Sequence, residues 1–399
     1  MGSGGSRSAP ATVKSARRAR SAQPAAVAYR PNSASAQGET AVVVVDTALL
    51  KRRNQAIDAQ IERDRETARQ TLKVLLLGGP ESGKSTIFKQ MRLLFMDGFS
   101  ELDLTNYRYL IFANVMQAMG QLVAACSQLG IAFSHDAKLD ADWFRMLMRH
   151  SQKDVELDAA SVAVLARLWR SAELQQAYQR RTDFALLDSA AYYLNRLEVL
   201  GAADYLPTAQ DVLHSRAATC GICEVKFPYK DSILRMVDVG GQKSEQRKWI
   251  HCFDSVNGIL FVSSLVDYSR HFDDSEYDNM NRLKYSMTIF ERIVNNELFG
   301  EKTGFLLFLN KMDLFAEQLH TVPLQSCFAS FAGSSKTTAE EAASYVGERF
   351  EALMTRSTAK RRAVYKHFTV ATDTDTVDRV FDSCMDVVFR LAMQKLGFA

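Results

Sequence analysis

Residues 78–85 of this 399-residue chain read Gly-Gly-Pro-Glu-Ser-Gly-Lys-Ser, and no other segment limits the possible folds as much. They fit G-x-x-x-x-G-K-[ST] in the context that pattern requires. The apolar run Val74–Leu77 before them reads as a short buried strand, and Thr86–Leu94 after them as an amphipathic helix. A strand turning through glycines into a helix aims backbone N–H groups at the place where phosphate oxygens can take them. Lys84 adds a positive charge at the β- and γ-phosphates, and Ser85 offers a hydroxyl to Mg2+. A merely glycine-rich strand–helix turn has no need of Lys-Ser, so the expectation is nucleotide binding.

The rest of the pattern gives that turn a setting. Val225–Pro228, Ile233–Val237, Ile259–Ser263 and Phe305–Leu309 are short apolar runs separated by helical segments, which implies a mostly parallel sheet covered on both faces. Residues 99–200 carry helical stretches instead, among them Tyr107–Leu129, Val162–Leu168 and Phe184–Leu197. An all-helical block therefore interrupts an α/β domain whose first strand and helix precede it. Residues 1–38 are rich in Ser, Ala, Gly, Pro and Arg and cannot bury enough apolar surface to offset their ordering entropy, so disorder is expected there. From Leu49 to Gln70 the chain is strongly charged with Ile57 and Ile61 four apart, a mostly solvated helix with one narrow apolar stripe.

Composition excludes rather than identifies. A net charge of +3 is small for this length and does not suggest a nucleic-acid partner. No apolar run reaches the roughly 18 residues of a membrane span, and the first 30 residues lack the apolar region of a secretory signal. Six scattered cysteines make no disulfide framework, which points to a reducing compartment. Cys220 and Cys223 have metal-ligand spacing but no second pair follows, and their alternation with Ile222 and Val225 reads as strand.

Two further motifs sit at strand ends. In Asn310-Lys311-Met312-Asp313 the Asp carboxylate can accept two hydrogen bonds from guanine N1–H and its 2-amino group, whereas adenine offers no such pair of donors. Asp238-Val239-Gly240-Gly241-Gln242 places an acid suited to a Mg2+ second shell, glycines that let backbone approach a γ-phosphate, and a Gln able to orient water. An ordinary Asp-Gly turn would explain the last motif alone, but not all three together.

With these motifs, and with Asp211-Val212-Leu213-His214-Ser215-Arg216, Thr219, Asp188-Ser189-Ala190-Ala191-Tyr192-Tyr193, Lys248-Trp249-Ile250-His251-Cys252-Phe253 and Thr369-Val370-Ala371-Thr372, the chain resembles the α subunits of heterotrimeric G proteins from about Asn54 onward. The resemblance implies an α/β fold: a Ras-like P-loop GTPase domain over 71–97 and 208–399, an inserted all-helical domain over 98–207, an N-terminal helix region over 39–70 and a disordered basic extension over 1–38. It implies phosphate contacts from Glu81, Ser82, Gly83, Lys84, Ser85 and Thr86, with Glu81 pairing with Arg216. Ser85 and Thr219 would coordinate Mg2+. Arg216 would act as an arginine finger in cis and Gln242 would orient the attacking water. Asp188 and Ser189 would reach the nucleotide and Lys311 from the helical domain, and Leu213, His214 and Ser215 would line its approach. Asp238, Val239, Gly240 and Gly241 would border the phosphates, and Asn310, Lys311, Met312, Asp313 and the Ala371 backbone would surround guanine. The implied activity is hydrolysis of GTP to GDP by a switch working with a βγ dimer, a seven-helix receptor, an effector and a membrane surface. The rival reading is a scaffold that binds GTP but hardly hydrolyses it or switches.

Several positions depart from the family pattern. Pro80 replaces a glycine, removing one N–H and adding bulk where Gln242 and Arg216 must meet. His214 and Lys243 stand where arginine is usual, losing its planar fork. A switch-region arginine that in many members pairs with a glutamate on the next long helix is here Gln246, and the glutamate is Tyr285. Cysteine is absent near the start, so palmitoylation is not expected there. Met1-Gly2-Ser3-Gly4-Gly5-Ser6 fits a myristoylation acceptor at Gly2, and Arg7, Lys14, Arg17, Arg18, Arg20 and Arg30 stand before the first acid. Two readings stand for this segment: a myristoylated membrane anchor assisted by the basic cluster, or a transit peptide.

Overall fold

A computed structural model describes residues 47–150, 157–272, 277, 279–333 and 337–396. The 1–38 extension with Gly2 and its basic cluster, residues 39–46 and the tail Gly397–Ala399 lie outside the described residues. Met1–Gln60 and Ile61–Ala399 are separate compact units, and the site described below lies in the second. Helix α1 (Thr47–Gln70) crosses that boundary. Its stripe residues Ile57 and Ile61 are 48% and 43% exposed.

Strand β1 (Thr71–Leu77) is buried without interruption from Val74 to Leu77, as a central strand covered on both faces must be. It turns through Gly78–Gly83 into α2 (Lys84–Phe95). The chain then leaves the sheet for α3 (Glu101–Gln128), α4 (His135–His150), α5 (Ala159–Arg170), α6 (Ala172–Gln179), α7 (Ala190–Leu194), α8 (Leu197–Leu200) and α9 (Ala209–His214). It returns as β2 (Ile222–Tyr229) and β3 (Ser232–Val239), followed by α10 (Lys243–Gln246), β4 (Gly258–Ser264), α11 (Arg282–Val294), β5 (Gly304–Asn310), α12 (Met312–Leu319), α13 (Ala339–Glu351), α14 (Arg356–Arg361), β6 (Val364–Thr369) and α15 (Thr374–Leu396).

The sheet order is β2-β3-β1-β4-β5-β6. β1 pairs in parallel with β3 (Leu75 opposite Val237) and with β4 (Leu75 opposite Ile259). Only β2–β3 is antiparallel, because those two strands are joined by a short turn, with Lys230 at φ 50°, where a parallel pair needs a crossover. Alternate strand residues feed two cores. Leu75, Phe261 and Leu307 pack beneath α11 and α13 with Phe290 and Phe350, whereas Val74, Leu260 and Phe308 pack beneath α2 and α15 with Met91 and Phe381.

The helical block has a third core, with Phe112, Met119 and Leu122 of α3 against Leu165, Trp169 and Tyr193. An 18-residue window of α3 reaches a mean hydropathy of 1.4, enough in length and composition to cross a membrane. Sequence inspection for uninterrupted apolar runs missed it. Most of that window is buried inside this core, which accounts for its apolarity.

Two other expectations need correcting. Phe184–Leu197 is not one helix: Phe184–Asp188 is a loop, and the helix that follows breaks at Asn195–Arg196 before α8. The break is tertiary in origin, since Trp169 Nε1 donates to Asn195 Oδ1 (2.7 Å) and Arg196 pairs with buried Asp211. The edge strand β6, Val-Tyr-Lys-His-Phe-Thr, adds a strand beyond the expected apolar runs, and its β-branched and aromatic residues are its strand signal.

Candidate functional site

The first turn of α2 is built to receive an anion. Its N-cap, Gly83, has φ 103°, and no side chain caps the helix. A Cβ there would come within 2.1 Å of Asn310 Nδ2, so glycine is required on two counts. The N–H groups left open by this geometry face a pocket lined by Glu81, Ser82, Gly83, Lys84, Ser85 and Thr86. The same pocket is lined by Leu213, His214, Ser215, Arg216 and Thr219, by Gly241 and Gln242, by Asn310, Lys311, Asp313 and Ala371, and by Asp188 and Ser189 from the helical block. Apart from Asp188 and Ser189, these segments follow β1, β3, β5 and β6 or lead into β2, so the pocket sits outside the carboxyl ends of the parallel strands.

Four expected residues are not on its wall. Asp238 stands behind Ser85, whose hydroxyl donates to Asp238 Oδ2 (2.9 Å). Val239 is buried in the core, Gly240 accepts a hydrogen bond from Trp249 Nε1 (2.8 Å), and Met312 packs against the core beneath α11 and α13. Pro80, Leu187, Ala217, Ala218, Leu314, Val370 and Thr372 line the pocket besides. Of these, Pro80 stands in the phosphate-loop motif and Val370 and Thr372 flank Ala371 in the Thr369–Thr372 motif, whereas Leu187, Ala217, Ala218 and Leu314 have no cue in the sequence.

Lys84 Nζ donates to the loop carbonyls of Gly78 (3.1 Å) and Gly79 (2.7 Å), so its charge is held inside the loop. Burial pulls its pKa down to about 8, with Asp238 opposing. The Ser85 and Thr219 hydroxyl oxygens lie 2.5 Å apart in front of Asp238. Asp238 Oδ1 is buried without a hydrogen-bond partner, and burial pushes its carboxyl up. Two hydroxyls backed by an under-satisfied carboxylate form a hard-oxygen set that suits a small hydrated divalent cation.

Charged groups close the mouth. Glu81, itself at φ 57°, accepts from Arg216 (2.5 Å) and lies 3.2 Å from Arg282 Nη2. Burial pushes the Glu81 carboxyl up, but Arg282, Arg216 and Lys311 together hold it below the usual range. Arg216 is also pinned through its backbone. Asn114 of α3 accepts from Arg216 N (2.7 Å) and donates to Arg216 O (2.9 Å). A buried Asn in a helix gives no sequence cue to such a partner 102 residues away. Lys89 fixes the same turn by donating to the carbonyls of Val212 (2.9 Å) and Ser215 (2.7 Å).

On the opposite wall, Asn310 serves the protein rather than the cavity. It donates to Ser82 O (2.9 Å) and accepts from Ala371 N (2.9 Å) and Thr369 Oγ1 (3.2 Å), joining three loops. The Ala371 backbone, expected to surround guanine with the neighbouring residues, has its N–H engaged with Asn310. Lys311, at φ 65°, donates to Glu81 O (2.7 Å) and Asp188 Oδ2 (2.6 Å). Asp313 opens on to the pocket, its carboxyl pushed up by burial. His214 stacks on Tyr192 at 3.8 Å, and burial brings its pKa down to about 4. Gln246 donates to Gly241 O (3.0 Å) and to Tyr285 OH (2.9 Å), a neutral link where an ion pair is usual. Arg247 is exposed beyond the end of α10.

Comparison with known proteins agrees with this arrangement. A family model described as G-protein alpha subunit matches residues 51–388. Guanine nucleotide-binding protein alpha-11 subunit of Caenorhabditis elegans is 43% identical over 364 residues, covering 88% of this chain and 98% of that protein. Guanine nucleotide-binding protein alpha-4 subunit of Caenorhabditis briggsae is 39% identical over 351 residues, covering 87% and 96%. A match of this extent, over a sheet and pocket so arranged, makes the chain a member of the G-protein alpha-subunit family.

Proposed function

We propose that this chain binds GDP and GTP with Mg2+, hydrolyses GTP, and works as the switch of a heterotrimeric G protein. One observation carries the reading: six separate segments, with residues suited to phosphate, metal, water and base among them, border one pocket. The names of the two nematode relatives, both guanine nucleotide-binding, support it.

In this reading the open N–H groups of the Ser82–Thr86 turn and the ammonium of Lys84 hold the phosphates. Ser85 and Thr219 hold Mg2+ with Asp238 behind them, and the cation supplies neutralising charge to the phosphate oxygens. Gln242, exposed at the mouth, orients water. Arg216 shares its guanidinium between Glu81 and the charge that develops on the transferring phosphoryl group. Asp313 selects guanine through its paired donors.

Pro80 on the pocket wall keeps a second reading open, a GTP-binding scaffold with little hydrolysis. Single-turnover hydrolysis of GTP, with and without Mg2+, separates the two. Mg2+-dependent phosphate release supports the switch, tight binding without release supports the scaffold, and no binding refutes both.

The exposed Ile57 and Ile61 of α1 support a docking role for that helix toward a βγ dimer, with a seven-helix receptor and an effector as further partners. Localisation at the cytoplasmic face of the plasma membrane rests on Gly2 and the basic cluster. One myristoyl chain binds with K of about 10⁴ M⁻¹, so the arginines serve as the second signal. Gly2→Ala is expected to move the protein from membrane to soluble fractions, whereas mitochondrial import with N-terminal cleavage supports the transit reading.

A further inference from the structure

The helical block meets the sheet domain across a seam of charged residues, among them Arg270, which belongs to no motif read above. Asp188, at the entry to α7, presents both carboxylate oxygens to the other side. Oδ2 accepts from Lys311 Nζ at 2.6 Å, and Oδ1 lies 2.9 Å from Arg270 Nη2. Arg270 belongs to the turn after β4, and its carbonyl accepts from Arg282 N (2.9 Å), so its backbone is tied to the first turn of α11. A second pair crosses the same seam, Arg181 to Glu317 of α12 at 3.1 Å, but both of its side chains are more exposed. Asp188, Arg270 and Lys311 keep only 24%, 23% and 13% of their side-chain surface in solvent.

We propose that Arg270 is a second cation of a two-sided clamp on Asp188, and that it sets how fast bound nucleotide leaves. This rests on the nucleotide-binding reading. Asp188 borders the pocket, so its segment must move away from Lys311 before a ligand held between the two blocks can escape. With Lys311 alone, rotation of one flexible side chain would release the carboxylate. Arg270 grips the other oxygen from a different element, so both contacts must break together. Burial pushes the Asp188 carboxyl up, but Lys311 and Arg270 outweigh it and hold it far below the usual range, so the clamp stays charged at any working pH. Arg270 is a positioning residue: it acts through Asp188.

The test uses the full chain loaded with mant-GDP and chased with unlabelled GDP. Arg270→Leu is expected to speed release about fivefold, the size of one partly buried ion pair. Arg270→Gln, which keeps most of the stem and guards against a folding defect in the first variant, is expected to do the same. Arg270→Lys should recover much of the slow rate. Release from the parent should quicken with KCl more steeply than release from Arg270→Leu, because one ion pair has been removed. In an Asp188→Asn background, Arg270→Leu should add little. Unchanged release in both neutral variants overturns the inference, as does equal acceleration with and without the Asp188 carboxylate. A chain that takes up no mant-GDP overturns the nucleotide-binding reading as well, which distinguishes the two failures.

Discussion

The Gln246–Tyr285 contact invites a quantitative test. Gln246 spends both of its amide hydrogens, one on Gly241 O and one on Tyr285 OH. A neutral hydrogen bond of this kind contributes about 1 kcal/mol net, and one involving charged groups about 1.5–3 kcal/mol. Restoring an Arg–Glu pair by Gln246→Arg with Tyr285→Glu should therefore favour the ordered switch by roughly 0.5–2 kcal/mol, about two- to thirtyfold in population. Trp249 reports on it directly, being buried and donating to Gly240 O within the same segment. The measurement is the change in tryptophan fluorescence when GDP is replaced by a GTP analogue, with Trp249→Phe as the blank for Trp143 and Trp169. The double variant is expected to show a larger change than the sum of the two single variants. Tyr285 also packs edge-on against Phe272 (5.3 Å between ring centroids), so Tyr285→Glu alone loses packing as well as the hydroxyl. Tyr285→Phe keeps the ring and isolates the hydrogen bond, and it should reduce the parent signal modestly. Strict additivity, or a parent signal already saturated, would refute the idea that the neutral link weakens the switch.

Three further outcomes are expected. Asp313→Asn should lose about ten- to a hundredfold in GTP affinity, the worth of a charge-assisted contact, and gain xanthine nucleotides, measured by competition binding. Arg216→Cys and Gln242→Leu should each slow single-turnover hydrolysis while nucleotide stays bound. For the arginine the loss established for GTPases of this family is about 10³–10⁵, and two variants that both match the parent would place the chemistry elsewhere. His214 titrates near 6.5 when unfolded but is held down to about 4 by burial, so the unfolded chain takes up more protons between those values. Nucleotide-free protein should lose stability as pH falls through that window, and His214→Asn should lose less, as read by denaturant midpoints at pH 7 and pH 5.

Local rules were enough for part of this protein. The turn at Gly78–Ser85 was legible because strand, glycines, lysine and helix are consecutive, and short-range sterics and hydrogen bonding decide such a unit. The strands β1, β4 and β5 were legible because burial on both faces demands unbroken apolar runs, and β3 was legible although Arg235 interrupts its run. Asp313 and Gln242 were legible because each stands at the end of one of those strands. What sequence spacing could not supply was the set of partners across the fold. Asn114 holding Arg216, Asn310 joining three loops and Arg270 gripping Asp188 are contacts between residues 59 to 228 positions apart. The break at Asn195–Arg196 has the same cause: its apolar spacing is helical, but Trp169 and Asp211 bind these two side chains from elsewhere. Propensity acts within one turn of chain, whereas a buried polar group takes whichever partner the packed elements bring within 3 Å. The motifs that border the pocket could thus be read one at a time, while the geometry that brings them to one pocket exists only once the helical block has folded against the sheet.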